Sequence, residues 1–102
     1  MEATLAQDPV QVAPNLYKVL FENDRVRLLE VRQKPGDESA MHGHPDCLIY
    51  CLSEGKVTFS SPSGESQEVE LRTGDTIWQE SQEHAAKNTG ATDVVGLVFE
   101  LK

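Results

Sequence analysis

From residue 16 onward the chain alternates short apolar runs with turn residues, and almost every run has a period of two rather than 3.6. The segment 16–22 (LYKVLFE) ends at the turn pair Asn23-Asp24, and 26–32 (VRLLEVR) runs up to Pro35-Gly36. Further runs lie at 47–52, 56–61, 67–71, 75–79, 84–88 and 94–101, most of them separated by Gly, Pro, Ser or Asp. Side chains alternate faces along a strand, so runs of this kind suit strands with at least one face in a core. Short strands at close spacing, joined by Ser53-Glu54-Gly55, Pro62-Ser63-Gly64 and Thr73-Gly74-Asp75, predict an all-β barrel or sandwich of antiparallel strands with no convincing helix. An immunoglobulin-like sandwich is the plain alternative, but the Cys, Trp, Cys order that marks many such domains is absent. Residues 1–15 carry Pro9 and Pro14 and no sustained period, and read as an N-terminal arm or a short edge strand; residues 16–102 form the barrel domain.

The run 47–52 is apolar on both faces. Leu48, Tyr50 and Leu52 share one side, Cys47, Ile49 and Cys51 the other. If the extended parity of His42 and His44 continues through it, Leu48 and Tyr50 face the barrel interior. The Cys47, Ile49 and Cys51 side then lies outside and needs cover from the arm or from a second copy of the chain. On an extended strand the two cysteines stand roughly 13 Å apart. A disulfide needs less than about 7 Å, so they read as small apolar packing residues.

A length of 102 residues fits one domain with a modest core. Seventeen acidic residues against nine Lys and Arg give a net charge of −8, which argues against nucleic acid or an anionic membrane as a partner. No window approaches the ~18 consecutive apolar residues of a spanning helix, and the N-terminus lacks a signal pattern, so a soluble, cytoplasmic protein is expected.

The candidate chemistry lies in the histidines. His42-Gly43-His44 places two imidazoles on one face of an extended chain, and His84, the remaining histidine, opens the segment 84–88. Imidazole nitrogen ligates divalent transition metals, so three such groups on a barrel interior make a credible mononuclear site for Fe, Ni, Zn, Mn or Cu. Asp46 shares the parity of the two histidines and is a candidate substitute ligand; the plainer account is a solvated turn residue beside Pro45. Glu38 and Gln79 are weaker candidates. Tyr50 is a candidate hydroxyl donor to a bound ligand or, equally, a core aromatic with one satisfied polar end. Trp78 reads as core, and Asn88 as a turn cap before Thr89-Gly90.

These residues together resemble the cupin superfamily. Gly36, five intervening residues, His42-Gly43-His44 and then Gly55 resemble its first motif, written G-x5-H-x-H-x3-E-x6-G. Gly74-Asp75, Trp78, His84 and Asn88 resemble the second. The resemblance covers about residues 17–102 and looks like that of the small, one-domain cupins. It implies a double-stranded β-helix, or jelly-roll, barrel, metal ligands at His42, His44 and His84, and a homodimer. The motif's glutamate falls on Leu48, which cannot coordinate, and the usual Pro and Gly of the second motif fall on Glu80 and Gln82. Three neutral imidazoles without that carboxylate leave a divalent ion with its full charge, so a small chelating anion is the expected ligand. The resemblance admits three functions: a three-histidine dioxygenase-like enzyme, a non-catalytic metal or small-ligand binding or sensor module, or a metal-free cupin with acid-base or sugar-directed chemistry.

Overall fold

A computed structural model describes residues 7–102. The order of elements is α1 (Pro9–Val12), β1 (Tyr17–Glu22), β2 (Val26–Gln33), β3 (His42–His44), β4 (Cys47–Cys51), β5 (Gly55–Ser60), β6 (Ser66–Leu71), β7 (Thr76–Gln79), β8 (Gln82–Asn88) and β9 (Val94–Leu101). Eight of the nine strands fall within a few residues of predicted runs, and β3 coincides with the His42-Gly43-His44 pair. The helix content is one four-residue turn, within the expectation of an all-β fold with no substantial helix. Asp8 caps it by accepting from Val10 N at 2.9 Å, and Pro9 opens it with a backbone angle already suited to a helix. This turn tucks Ala13 and Leu16 into the core, so the described part of the arm is packed rather than peripheral.

The strands form two antiparallel sheets. One runs β1-β2-β9-β4-β7 and the other β3-β8-β5-β6. One buried cluster joins Leu29, Cys47 and Val98 to Ala13 of the arm and to Leu16 and Tyr17 just after it. The other spans both sheets through Cys51, Val57, Leu71, Ala86 and Val94. Strand β9 shows why this chain makes a barrel wall: Val94, Gly96, Val98 and Glu100 alternate inward while Val95, Leu97, Phe99 and Leu101 alternate outward.

Gly36 and Gly74, which both belong to the motif pattern, adopt φ of 87° and 91°, a region that side chains disfavour. Gly55 serves the motif differently. A Cβ there would come within 2.5 Å of Val94 Cγ2, so the residue allows β5 to start close against β9.

The parity predicted for the run 47–52 is reversed. Cys47 and Cys51 are buried, whereas Leu48, Tyr50 and Leu52 are exposed. The cause is the bend at Pro45-Asp46. Asp46 accepts from Ser81 N through its side chain and from Leu101 N through its carbonyl, both at 2.9 Å. That bend breaks the continuity of β3 with β4, and one added residue moves every later side chain to the other face. Trp78 is also on the outer face, 52% exposed, rather than in the core. Both cysteines are free thiols inside the barrel. Among the described residues no helix is long and apolar enough to cross a membrane.

Candidate metal centre

Strands β3 and β8 pair antiparallel with His42 opposite His84, Gly43 opposite Glu83 and His44 opposite Gln82. A single short ladder therefore carries all three histidines. Directly opposed and diagonal side chains on one face of such a ladder meet, and here they do. The ring centroids lie 4.9 Å apart for His42 and His44, 4.9 Å for His42 and His84, and 5.2 Å for His44 and His84. One nitrogen of each ring falls within 4.8 Å of the others, and all three residues are buried. Phe59 packs beside His84, and Tyr17 against His42 and His44.

The hydrogen bonds decide which nitrogens are free. His42 Nδ1 lies 2.7 Å from the Ala40 carbonyl, which can only accept, so Nδ1 carries the proton and Nε2 keeps its lone pair. The Tyr17 hydroxyl, 3.3 Å from that Nε2, is then the donor to it. His44 Nδ1 lies 2.7 Å from Glu100 Oε2, which orients that ring with Nε2 free in the same way. His84 Nδ1 is buried and has no hydrogen-bond partner. A buried polar atom left unpaired costs about 1–3 kcal/mol, and native structures hold few of them. Burial, with the neighbouring His44 and His42, pushes the His84 imidazole down to about 3. Burial also lowers that of His42. A neutral imidazole is the form that ligates metal, and burial favours that form at His42 and His84.

Behind His44 stands a charged chain that sequence reasoning missed. Arg27 Nε donates to Glu100 Oε1 at 2.8 Å, and its Nη1 reaches Asp8 Oδ2 at 2.9 Å. Glu100 is 1% exposed. Burial raises the Asp8 carboxyl, but hydrogen bonds from Arg27 and the Val10 amide outweigh it and hold the group below its ordinary value. Glu100 was open to detection, because it is a carboxylate at an inward position of the otherwise apolar β9. A carboxylate so close to a candidate ligand would offset part of an ion's charge. The expectation of an uncompensated +2 charge is corrected accordingly.

The other candidates are placed elsewhere. Asp46 is exposed and occupied with the Ser81 amide, outside the histidine cluster. Glu38 is exposed, and its main chain pairs with that of Lys87 in an isolated antiparallel bridge. Gln79 lines the interior near the Cys47 thiol. Tyr50 points outward, and the buried phenol beside the histidines is Tyr17. Asn88 caps the turn as expected, accepting from Gly90 N at 2.9 Å. Leu48 is exposed, and the inward neighbour that lines the cavity with His44 and His84 is Ile49. That cavity is narrow, ≈ 50 Å³, and mostly apolar. Outside it, a cleft of ≈ 460 Å³ reaches His84 past Ser60, Ser61, Glu65, Gln82 and Glu83, with no basic side chain among its lining residues.

No family model matches the chain, and no curated protein matches it. Solved structures do. A cupin domain from Bordetella pertussis Tohama I superposes with a TM-score of 0.78 at 25% identity, over 98% of this chain and 99% of that one. An uncharacterised conserved protein with a double-stranded β-helix domain from Klebsiella pneumoniae gives 0.69 at 22% identity, over 84% of this chain and 75% of that one. A cupin family protein from Methanocaldococcus jannaschii gives 0.68 at 11% identity, over 84% and 78%. With the two-sheet topology and a histidine from each motif position in one buried cluster, the chain has the fold of a small cupin domain and is similar to proteins of that kind.

Proposed function

We propose that this cupin binds one divalent transition metal ion through His42, His44 and His84. The observation that carries the reading is the orphaned His84 Nδ1 within a cluster of three buried rings, two of which have their other nitrogen fixed by an acceptor. Ligating histidines characteristically donate their second nitrogen to a carbonyl or carboxylate, as His42 does to Ala40 and His44 to Glu100. A bound ion would supply Lewis acidity and open positions for a ligand. The chain's own residues would orient the rings, exclude bulk water through Phe59 and Ile49, and present the Tyr17 hydroxyl, whose present acceptor is a ligand nitrogen.

The proposed ligand is a small chelating anion. The acidic and neutral rim means that attraction for it would come from the ion alone. The narrow cavity has room for a few water-sized groups, so anything larger would reach in from the cleft beside His84. The same narrowness favours a second reading, a metal-binding module without turnover.

Metal analysis and calorimetric titration of untagged protein with Fe, Ni, Zn, Mn and Cu test the first reading. One ion per chain is expected, with Ala at position 42, 44 or 84 each weakening binding by at least about tenfold. Normal binding by any one of these variants would remove that histidine from the site. Oxygen consumption over small chelating acids, diketones and thiols then separates a dioxygenase-like enzyme from a binding module.

A further inference from the structure

Three independent links join the N-terminal turn to the histidine cluster. The first is the charged chain. Asp8, the cap of α1, holds the Arg27 guanidinium, Arg27 holds Glu100, and Glu100 holds His44 Nδ1, every step at 2.7–2.9 Å. The second is main chain to main chain: Gly43 N, between the two ligand residues of β3, donates to Gln7 O at 2.8 Å. The third is Tyr17, whose amide bonds Ala13 O at the end of α1 and whose hydroxyl reaches His42 Nε2, a contact that an ion on that nitrogen would replace, so the coupling runs through the first two. The described part of the arm is packed into the core through Ala13, and its ion pair with the body of the protein runs through Asp8 to Arg27.

The guanidinium fork suits this position. It presents several donors in one plane, and here it bridges two carboxylates at once, one on the arm and one behind a candidate ligand. An ion on His44 Nε2 would draw electron density from the ring and strengthen the Nδ1–H bond to Glu100. A stronger demand on Glu100 fixes its rotamer, and through Arg27 the position of Asp8. The reverse holds by thermodynamic reciprocity. A docked arm holds Glu100 in the rotamer that aims His44, so less ordering is left for the ion to impose.

Resting on the metal reading above, we propose that the N-terminal turn is a working part of the metal centre: docking of residues 7–13 and ion binding at the histidines favour each other through Asp8, Arg27 and Glu100. Asp8, Arg27 and Glu100 are positioning residues in this scheme. None of them ligates.

The test uses the full chain and Co2+, whose visible absorption reports its coordination. In the wild-type protein Co2+ should slow hydrogen exchange at the Gln11, Val12 and Ala13 amides by about fivefold or more, the lower end of ordinary coupling between two sites. Asp8→Asn is the informative variant, because Asn caps a helix as well as Asp does but lacks the charge that grips Arg27. It should bind Co2+ about fivefold more weakly and lose the ion-dependent protection of those amides, while the absorption spectrum of the saturated site stays unchanged. Arg27→Lys, which keeps the charge and loses the fork, should behave likewise. Wild-type exchange that ignores Co2+, or wild-type affinity in Asp8→Asn, would each overturn the coupling and leave the metal reading intact. Failure of the wild-type protein to take up any ion would overturn both, and is told apart because no cobalt spectrum develops.

Discussion

Leu48 and Ile49 are neighbours in sequence but lie on opposite sides of the barrel wall, and that difference decides which of them a carboxylate would have to replace to reach the ion. Leu48→Glu should leave metal affinity within about twofold of wild type, since its side chain faces out. Ile49→Glu introduces a carboxylate into the cavity with His44 and His84 and should change affinity by about tenfold or more. Titration of both variants with one metal checks the register directly, and the opposite ranking would put the inward parity back on 48. The histidines also set a pH dependence. His84 titrates at about 3 when folded and at about 6.5 when unfolded, because burial and its two neighbours disfavour its charged form. The unfolded chain therefore takes up the proton first, and stability of the metal-free protein should fall as pH drops from about 6.5 toward 3. Urea midpoints measured across that window should decrease in the wild type and decrease less in His84→Gln. The histidine triad was legible in sequence because spacing and motif both pointed to it. The Asp8, Arg27 and Glu100 chain was not, since residues so far apart along the chain meet only once β2 lies beside β9 and the arm folds back.

Strands are readable from their period and their turns, and eight of the nine match predicted runs within a few residues; β3 shows in the sequence only as an extended pair of histidines. What period alone cannot settle is phase. The bend at Pro45-Asp46 is stabilised by Ser81 and Leu101, from the turn between β7 and β8 and from β9, so its effect on parity depends on tertiary contacts. The helix escapes sequence reading for a related reason: a single turn has no measurable period, and its stability comes from the Asp8 cap and the burial of Ala13 and Leu16. At this scale Gly55 makes a sharp prediction. Gly55→Ala would drive a methyl group into Val94, a stiff β-branched residue in the core, and should cost about 1–3 kcal/mol, read as a lower urea midpoint at unchanged slope. Wild-type stability in that variant would mean that β5 and β9 have room to separate.

Across the outer face of the larger sheet, one row of side chains runs through all five strands in register: Trp78 beside Leu48, Leu48 beside Phe99, Phe99 beside Leu28, and Leu28 beside Phe21. Four of these are exposed large hydrophobic residues. Contiguous apolar surface of this kind on a chain of net charge −8 marks an interaction face, and a row crossing a sheet can pair with its own copy about a two-fold axis. We expect the homodimer implied by the cupin resemblance to form here, on the Leu48 side of β4 rather than on the Cys47 side. Sedimentation should give a dimer at micromolar concentration with Trp78 emission shifting to the red on dilution, and Leu48→Glu should give monomer; a wild-type monomer with wavelength independent of concentration would refute it. The enclosure of the histidines has a different consequence, one of timing. All three are at most 5% exposed, and β3, which carries two of them, is only three residues long. An ion held there would reach solvent past His84 into the cleft or by parting of that short ladder from β8, and either route needs buried side chains to move. Release would therefore be governed by the rate of a local opening as well as by the strength of the bonds to nitrogen. Which metal the protein carries would then depend on which was at hand while the barrel closed, and a later excess of a better-binding metal such as copper would exchange into it only over hours.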